Sequence, residues 1–534
     1  MSTVHSPDAI SKADASGRLP VRNALLSVYD KTGVVDLARA LAGHGARVLA
    51  SGGTAKALED AGVEVMSIED YTGFAGGYGG RVKTLHPKVH AGILARRDVP
   101  GDLEELEEGG ALPIDLVCVN LYPFEEAVAS GASEAERIEK IDIGGPAMIR
   151  AAAKNWKHVA VVCDPADVPA LLEELEAQSG TLSAATRKRL ARKAFERTSQ
   201  YDAAIAGELA DGTDLLPERL AVSLVKAGDL RYGENPHQVA ALYAARDTGG
   251  DLPGGWRKLQ GKELSYNNWI DLVAAAELAT FFEDEPACVI VKHMNPCGTA
   301  VAGSVKEAWE VALACDPVSA FGGIAAFNRP VDAATVEAIG KTFLEVVVAP
   351  RFEEEAVAAF RKKKNLRLVE MPVEAFREPR REMRPVPGGG VLVQSDPGVP
   401  ERTADWKAVS KREPSEAELR DLEFAWKVVA VVKSNAIVFV KDRRILGVGA
   451  GQMSRVDSVR LAVAKAKEHG HDLAGSVVGS DAFFPFADGP QLALEAGATA
   501  IVQPGGSKRD QDTIDAVDAA GAAMVFTGRR VFRH

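Results

Sequence analysis

Val48-Leu49-Ala50-Ser51-Gly52-Gly53-Thr54 passes from an apolar run through a glycine turn into a helical pattern that reaches Leu58. It reads as strand, turn and helix start. Amides at such a helix start lack partners within the helix. With the positive end of the helix dipole and the hydroxyls of Ser51 and Thr54, they converge on a point that suits a phosphate. The pattern recurs upstream, where the apolar run Ala24 to Val28 leads through Tyr29, Asp30, Lys31, Thr32 and Gly33 into another helix. From residue 22 to about 163, short apolar strands at Leu25–Val28, Val48–Ala50, Leu116–Asn120 and Val159–Cys163 alternate with helical patterns. That order predicts an α/β fold with a parallel sheet flanked by helices. Helices rich in Ala, Leu, Glu and Arg are expected over 166–210, and the linker composition of Asp211 to Pro217 places a domain boundary near 215.

A second anion-binding signal follows in Gly80-Arg81-Val82-Lys83-Thr84-Leu85-His86-Pro87. Gly73, Gly76, Gly77, Gly79 and Gly80 precede or open it and leave backbone amides unshielded, so main chain as well as side chains can approach a phosphate. Alone, an Arg and Lys pair is more often a solvated basic turn. The phosphate-suited turn at Ser51–Thr54 weighs against that reading.

Composition bounds the function classes. A chain of 534 residues is long enough for two or more domains. A net charge of -12 argues against a nucleic-acid partner, because phosphate-backbone binding needs a broad basic surface. Local basic clusters in an acidic chain point to small anions instead. Cys118, Cys163, Cys288, Cys297 and Cys315 include no CxxC pair, so neither a zinc site nor a disulfide framework is suggested, which fits a reducing cytoplasm. The first twenty residues are polar and expected to be disordered. No run reaches the roughly 18 apolar residues needed to span a bilayer.

Beyond residue 220 the chain suggests a diverged repeat. Residues 288–322 read as a strand, Val291-Lys292-His293, a helix, then Asp316 to Gly322. Residues 428–486 are expected to echo this with a strand, Val432-Lys433-Ser434-Asn435, a helix, then Ser480 to Phe486. Two such α/β subdomains would create a cleft. Lys292 and His293 stand at a strand end before Asn295-Pro296-Cys297-Gly298, where a side chain has little freedom. Histidine exchanges protons near neutral pH, and an adjacent ammonium stabilises negative charge. His469 and His471, in a glycine-flanked loop, read as surface histidines, and Arg361 to Lys364 as a solvated helix face.

GGRVKTLHP (79–87), NLYPF (120–124), IDIGGPAMIRAAAKN (141–155), LRYGENPHQ (230–238), VKHMNPCGTA (291–300), DPVSAFGG (316–323), GAGQMSR (449–455) and DAFFPF (481–486) occur in one order. Together they resemble the bifunctional purine-synthesis enzymes that combine AICAR transformylase with IMP cyclohydrolase, over about residues 22–534. The resemblance implies a methylglyoxal-synthase-like N-terminal domain over 21–215. It also implies a transformylase of two cytidine-deaminase-like α/β subdomains, about 220–385 and 386–534, within 216–534. The implied activity is the last two steps to IMP, with 10-formyltetrahydrofolate as cosubstrate and AICAR and formyl-AICAR as the other small-molecule substrates. A cytoplasmic homodimer with transformylase sites at the interface is implied as well. Deaminases of this fold hold zinc through PCxxC, but Pro296-Cys297 is followed by Gly298, Thr299 and Ala300, so no metal is expected.

Carried over by motif, the nucleotide site of the cyclohydrolase comprises Tyr29, Asp30, Lys31, Ser51, Gly52, Gly53, Thr54, Arg81, Val82, Lys83, Thr84, Asn120, Leu121, Asp142 and Ile143. Lys154 matches the family's proton-transferring lysine; Lys83, Tyr122 and Asp142 stand at the reacting end. In the transformylase, His293 is implied as proton acceptor and Lys292 as stabiliser of the oxyanion. Arg231, Tyr232, His293, Gly322, Asn435, Arg455, Phe483 and Arg530 are implied AICAR contacts, and Gln452, Met453, Ser454, Asp488, Ser507 and Lys508 folate contacts. Tyr29 departs from the small serine usual there, Gly76 to Gly80 replaces a more varied segment, and Asp332 is the candidate for an acidic AICAR contact. A noncatalytic nucleotide-binding regulator that kept these pockets is the alternative.

Overall fold

The computed structural model describes residues 11–78, 81–210, 214–245, 252–378, 380–400 and 406–534. The first ten residues of the expected tail, Gly79 and Gly80 of the glycine run, and residues 211–213 of the expected linker lie outside them. The chain forms two compact units, Met1–Leu224 and Val225–His534.

The first unit is built on five parallel strands: β1 Asn23–Leu26, β2 Arg47–Ala50, β3 Met66–Ser67, β4 Leu116–Cys118 and β5 Ala160–Val162, in the order β3-β2-β1-β4-β5. Leu25, Leu26, Leu49, Val117 and Val161 are fully buried, as expected of strands covered on both faces. Four helices border or brace the turns at the strand ends: α1 Val34–Gly43, α2 Gly52–Asp60, α3 Pro87–Leu94 and α4 Gly144–Lys154. The glycine turn at 51–53 does separate a strand from a helix. The expected disorder to residue 20 is corrected: Leu19 and Pro20 pair antiparallel with Leu182 and Thr181, and Leu19 is buried.

The second unit carries one twelve-stranded sheet. Its principal strands are β6 Ala287–Lys292, β7 Asn295–Val301, β8 Gly323–Phe327, β9 Leu344–Ala349, β10 Arg367–Glu370, β11 Ile437–Lys441, β12 Arg444–Gly449, β13 Ser476–Ser480, β14 Ala498–Gln503 and β15 Ala523–Phe526. They run β10-β9-β8-β6-β7-β12-β11-β13-β14-β15, with Arg257–Gln260 and Lys407–Ala408 at the two edges. The order is the same read outward from the middle. On each side a hairpin (β6-β7, β11-β12) pairs antiparallel with the next strand, and two parallel strands follow. Where the two halves join within the sheet, β7 and β12 pair antiparallel, Ala300 opposite Arg444. Each half opens with a helix under its hairpin, α5 Tyr266–Thr280 and α6 Glu416–Val429, and each of these starts with a capping box, Ser265 with Asn268 and Ser415 with Glu418. A second helix, α7 Val305–Cys315 or α8 Arg455–Glu468, follows each hairpin.

This topology corrects the pairing of motifs expected from sequence. Val428 and Val429 end α6 rather than forming a strand, because the apolar run there is the buried face of an amphipathic helix. The counterpart of Lys292-His293 is therefore Lys441-Asp442, not the Lys433 stretch. Asp316–Gly322 precedes β8 whereas Ser480 ends β13, so those two motifs are not equivalent either. A subdomain boundary at 385 would cut the hairpin Arg381–Val386/Gly390–Ser395. No helix among the described residues is long and apolar enough to cross a membrane. All five cysteines are free; burial pushes the thiols of Cys118, Cys297 and Cys315 up to about 12, Cys163 up to about 11, and Cys288 well above its usual value.

Candidate functional site

The first unit holds a cavity of about 570 Å³ where the turns after β1 and β2, the segment 81–84 and the N-terminus of α4 meet. No side chain caps α2, because Ser51 Oγ is engaged with Ser27 Oγ at 2.7 Å. Gly52 has φ 47°, a left-handed value that a side chain would resist. A methyl group there would stand 3.4 Å from Lys83 Nζ, and one at Gly53 would stand 3.9 Å from Lys31 Nζ. Two ammonium groups thus flank open amides at a helix start, the arrangement that receives a phosphate. Asn120 fixes the upstream turn: its Oδ1 accepts from the N–H groups of Tyr29 at 2.6 Å and Asp30 at 3.1 Å, and its Nδ2 donates to Asp30 O.

At the other side of the cavity, Asp142 Oδ1 accepts from Gly145 N at 2.8 Å. Burial pushes the Asp142 carboxyl up, against the N–H groups of Gly145 and Tyr122, and burial followed by the Asp142 charge pushes the Tyr122 phenol up. Tyr122 meets Tyr29 edge-on at 5.7 Å. Arg81 is paired with Glu139, which also lines the cavity.

Tyr29, Lys31, Ser51, Gly52, Gly53, Thr54, Arg81, Lys83, Thr84, Asn120, Tyr122, Asp142 and Ile143 are brought together around this cavity. Asp30, Val82 and Leu121 adjoin it in sequence without lining it, and Asp30 caps Thr32. Lys154 is not brought to it. Lys154 is exposed at the end of α4, ten residues past Gly144 and so roughly 15 Å along the helix. Sequence reasoning placed Ser27 in the turn that leads to Tyr29 without making it a site residue, and it missed Glu139, since nothing in sequence ties Glu139 to Arg81.

In the second unit Lys292 and His293 line a cavity of about 250 Å³ with Asp316, Ser319, Lys465 and His469. Lys292 Nζ donates to Gly322 O at 3.0 Å, and His293 is exposed in the turn between β6 and β7. The reading of His469 and His471 as surface groups is corrected. The glycine-flanked loop folds back, leaving the His469 ring almost buried with Nε2 3.1 Å from Asp316 Oδ1, and His471 Nε2 lies 2.9 Å from Cys315 O.

Another cavity, of about 400 Å³, gathers Asn435, Met453, Ser454, Arg455, Phe483, Asp488 and Arg530. Arg455 is buried, paired with Asp481, and donates to Ser480 Oγ at 2.9 Å and Asn435 Oδ1 at 2.7 Å. Asn435 Nδ2 in turn donates to the carbonyls of Gln452 and Met453. Pro485, Phe486 and Phe532 supply aromatic and apolar walls. Sequence reasoning missed them as individual residues, although the DAFFPF motif contains two of the three. Ser507 and Lys508 sit in the loop after β14, beside Arg509, whose guanidinium covers Phe486 at 5.2 Å. The backbone N–H of Lys433 donates to Asn295 Oδ1, on the Lys292 cavity, at 2.9 Å, and its carbonyl accepts from the N–H of Gly451, two residues before Met453, at 2.7 Å. Arg231 and Tyr232 follow the strand Val225–Leu230 and line neither cavity. Asp332 caps the helix Ala333–Ile339, its carboxylate accepting from Thr335 N and Oγ1, and it lines neither cavity.

The family model described as the AICARFT/IMPCHase bienzyme matches residues 152–465, and that of the MGS-like domain matches residues 33–147. The bifunctional purine biosynthesis protein PurH of Dinoroseobacter shibae is 54% identical, with 97% of this chain and 99% of that protein covered. The protein of the same name from Chloroflexus aurantiacus is 52% identical, covering 97% of this chain and 100% of the relative. The solved structure of ForH is 42% identical over 36% of this chain and all of its own, with a TM-score of 0.32. This chain joins an MGS-like unit with a lysine-flanked cavity to a duplicated sheet carrying Lys292 and His293, it matches the PurH proteins along nearly its whole length, and it belongs to the AICARFT/IMPCHase bienzyme family.

Proposed function

We propose that the chain carries out the last two steps of IMP synthesis at two sites, one on each unit. Formyl transfer from 10-formyltetrahydrofolate to the 5-amino group of AICAR is followed by dehydrative closure of formyl-AICAR. The observation that carries this reading is that each unit has its own cavity lined by a lysine, Lys83 in one and Lys292 beside His293 in the other.

In closure, the carboxamide nitrogen bonds to the formyl carbon of the same molecule and water leaves, so orientation is most of the task. The α2 amides with Lys31 hold the phosphate, Tyr29 and Tyr122 bound the ring, and Asp142 anchors its far edge. Lys83 then stabilises the developing alkoxide. Lys154 carries the family's proton-transfer role by motif alone, and its exposed place at the end of α4 favours Lys83 for the group at the reacting end.

In formyl transfer, the 5-amino nitrogen attacks the formyl carbon, His293 takes the amino proton, and Lys292 stabilises the tetrahedral oxyanion before tetrahydrofolate leaves. Asn435, Arg455, Phe483 and Arg530 suit AICAR, with Arg231, Tyr232 and Gly322 carried over by resemblance. The aromatic walls Phe486 and Phe532, with Asp488 and the 452–454 and 507–508 segments, suit the flat ring of the folate. A cytidine-deaminase-like ancestry for each half, a cytoplasmic homodimer and transformylase sites at its interface belong to the same reading. A noncatalytic regulator would need the cavities but not His293 or Lys83.

The test measures both half-reactions on each variant. His293→Ala should lower formyl-transfer turnover about 10²- to 10⁴-fold and spare closure. Lys83→Ala should do the reverse, and Lys154→Ala should impair closure less than Lys83→Ala. Equal loss of both activities in either His293→Ala or Lys83→Ala would refute the two-site assignment.

A further inference from the structure

The turn that carries His293 is held in a conformation its own residues disfavour. His293 and Met294 form the two-residue loop between β6 and β7 with φ of 51° and 62°. These left-handed values fit the twist of a tight hairpin, yet they come easily only to glycine, asparagine or aspartate. Asp271, on the helix α5 beneath the hairpin, grips the loop: its Oδ1 accepts from Met294 N at 2.7 Å, and the His293 N–H faces the same carboxylate.

The other half of the sheet repeats the device. Asp421, at the corresponding place in α6, accepts from Asp442 N at 3.0 Å and Arg443 N at 2.7 Å, and that loop has φ of 53° and 52°. Lys441 Nζ donates to Ala474 O at 2.8 Å as Lys292 does to Gly322 O. The grip is therefore a property of the scaffold. The difference lies in the side chain it presents, an imidazole in one half and a carboxylate in the other.

We propose that Asp271 is a positioning residue for formyl transfer: by holding the left-handed turn it fixes where the His293 imidazole stands relative to Lys292. This rests on the reading of His293 as proton acceptor. The test compares kcat and KM for AICAR in five variants alongside their thermal stability. Asp271→Ala should lower kcat about 10- to 100-fold, the scale of an ångström-level misplacement, with KM little changed. Adding Met294→Gly, which adopts the turn without a grip, should restore part of that kcat. Asp421→Ala should lose comparable thermal stability and keep its kcat. Asp271→Asn weakens the grip without opening a hole, should lower kcat by a smaller factor that Met294→Gly again recovers, and decides the matter if the alanine variant does not fold. Wild-type kcat in the Asp271 variants, or a loss that Met294→Gly does not recover, overturns the proposal. If His293→Ala itself turns over normally, the underlying reading has failed instead.

Discussion

Gly145→Ala tests the cyclohydrolase cavity through a single methyl group. The new Cβ would stand 2.9 Å from Asp142 Cγ, closer still to its Oδ2, and 3.0 Å from Leu121 Cδ2, so something must shift. The buried Leu121 has little room and the carboxylate is the element that yields. Its displacement forfeits the charge-assisted bond from Gly145 N, about 1.5–3 kcal/mol, and residual overpacking adds about 1–3 kcal/mol. Replacing glycine in a helix returns at most about 1 kcal/mol, so the steric cost wins. Closure of formyl-AICAR, followed by the appearance of IMP, should fall on the order of 10²-fold as Asp142 leaves the cavity edge, while formyl transfer on the same protein stays at the wild-type rate. A Gly145→Ala enzyme that closes the ring normally, beside an Asp142→Ala enzyme that does not, would refute this explanation of why two glycines open α4.

A fragment of residues 1–224 should fold alone and cyclise formyl-AICAR without folate; a folded but inactive fragment would show that the unit needs its partner for chemistry. Burial would raise the Glu418 carboxyl, but hydrogen bonds from Arg412, Ser415 and Thr499 override it and bring the value from 4.5 down to about 2. The folded value lies below the unfolded one, so the stabilisation is complete above pH 4.5 and is lost as pH falls towards 2. Urea midpoints across that window should fall less steeply in Glu418→Gln than in the wild type, and parallel curves would exclude Glu418 as a source of acid lability.

The strand-turn-helix grammar of the first unit was legible because each element is short, apolar and punctuated by glycine at the turn, as at Ala50–Thr54. The duplication in the second unit was legible as repeated composition but not in register. An apolar stretch such as Phe424–Val432 satisfies either period, and only packing under β11 and β13 makes most of it helix. Lys83 and Lys31 were legible because each belongs to a local motif, a glycine-flanked basic run and a strand-to-helix turn, although the Ser51–Gly53 turn they flank lies twenty or more residues away. Asp271 carried no signal, since its partners lie more than twenty residues away and its importance comes from backbone angles. His469 was misread for a related reason: glycines on both sides of a loop describe its freedom, not the wall it folds against.

The five unpaired cysteines have a practical consequence. Sulfur attacks electrophiles as the thiolate, and burial keeps every one of these thiols protonated far above neutral pH, including Cys297 on the wall of the His293 cavity. Alkylating reagents therefore pass over the native molecule and mark chains that have opened. The protein carries its own unfolding probe, and the order in which Cys118 and Cys163 are labelled relative to Cys288, Cys297 and Cys315 reads out which unit opens first.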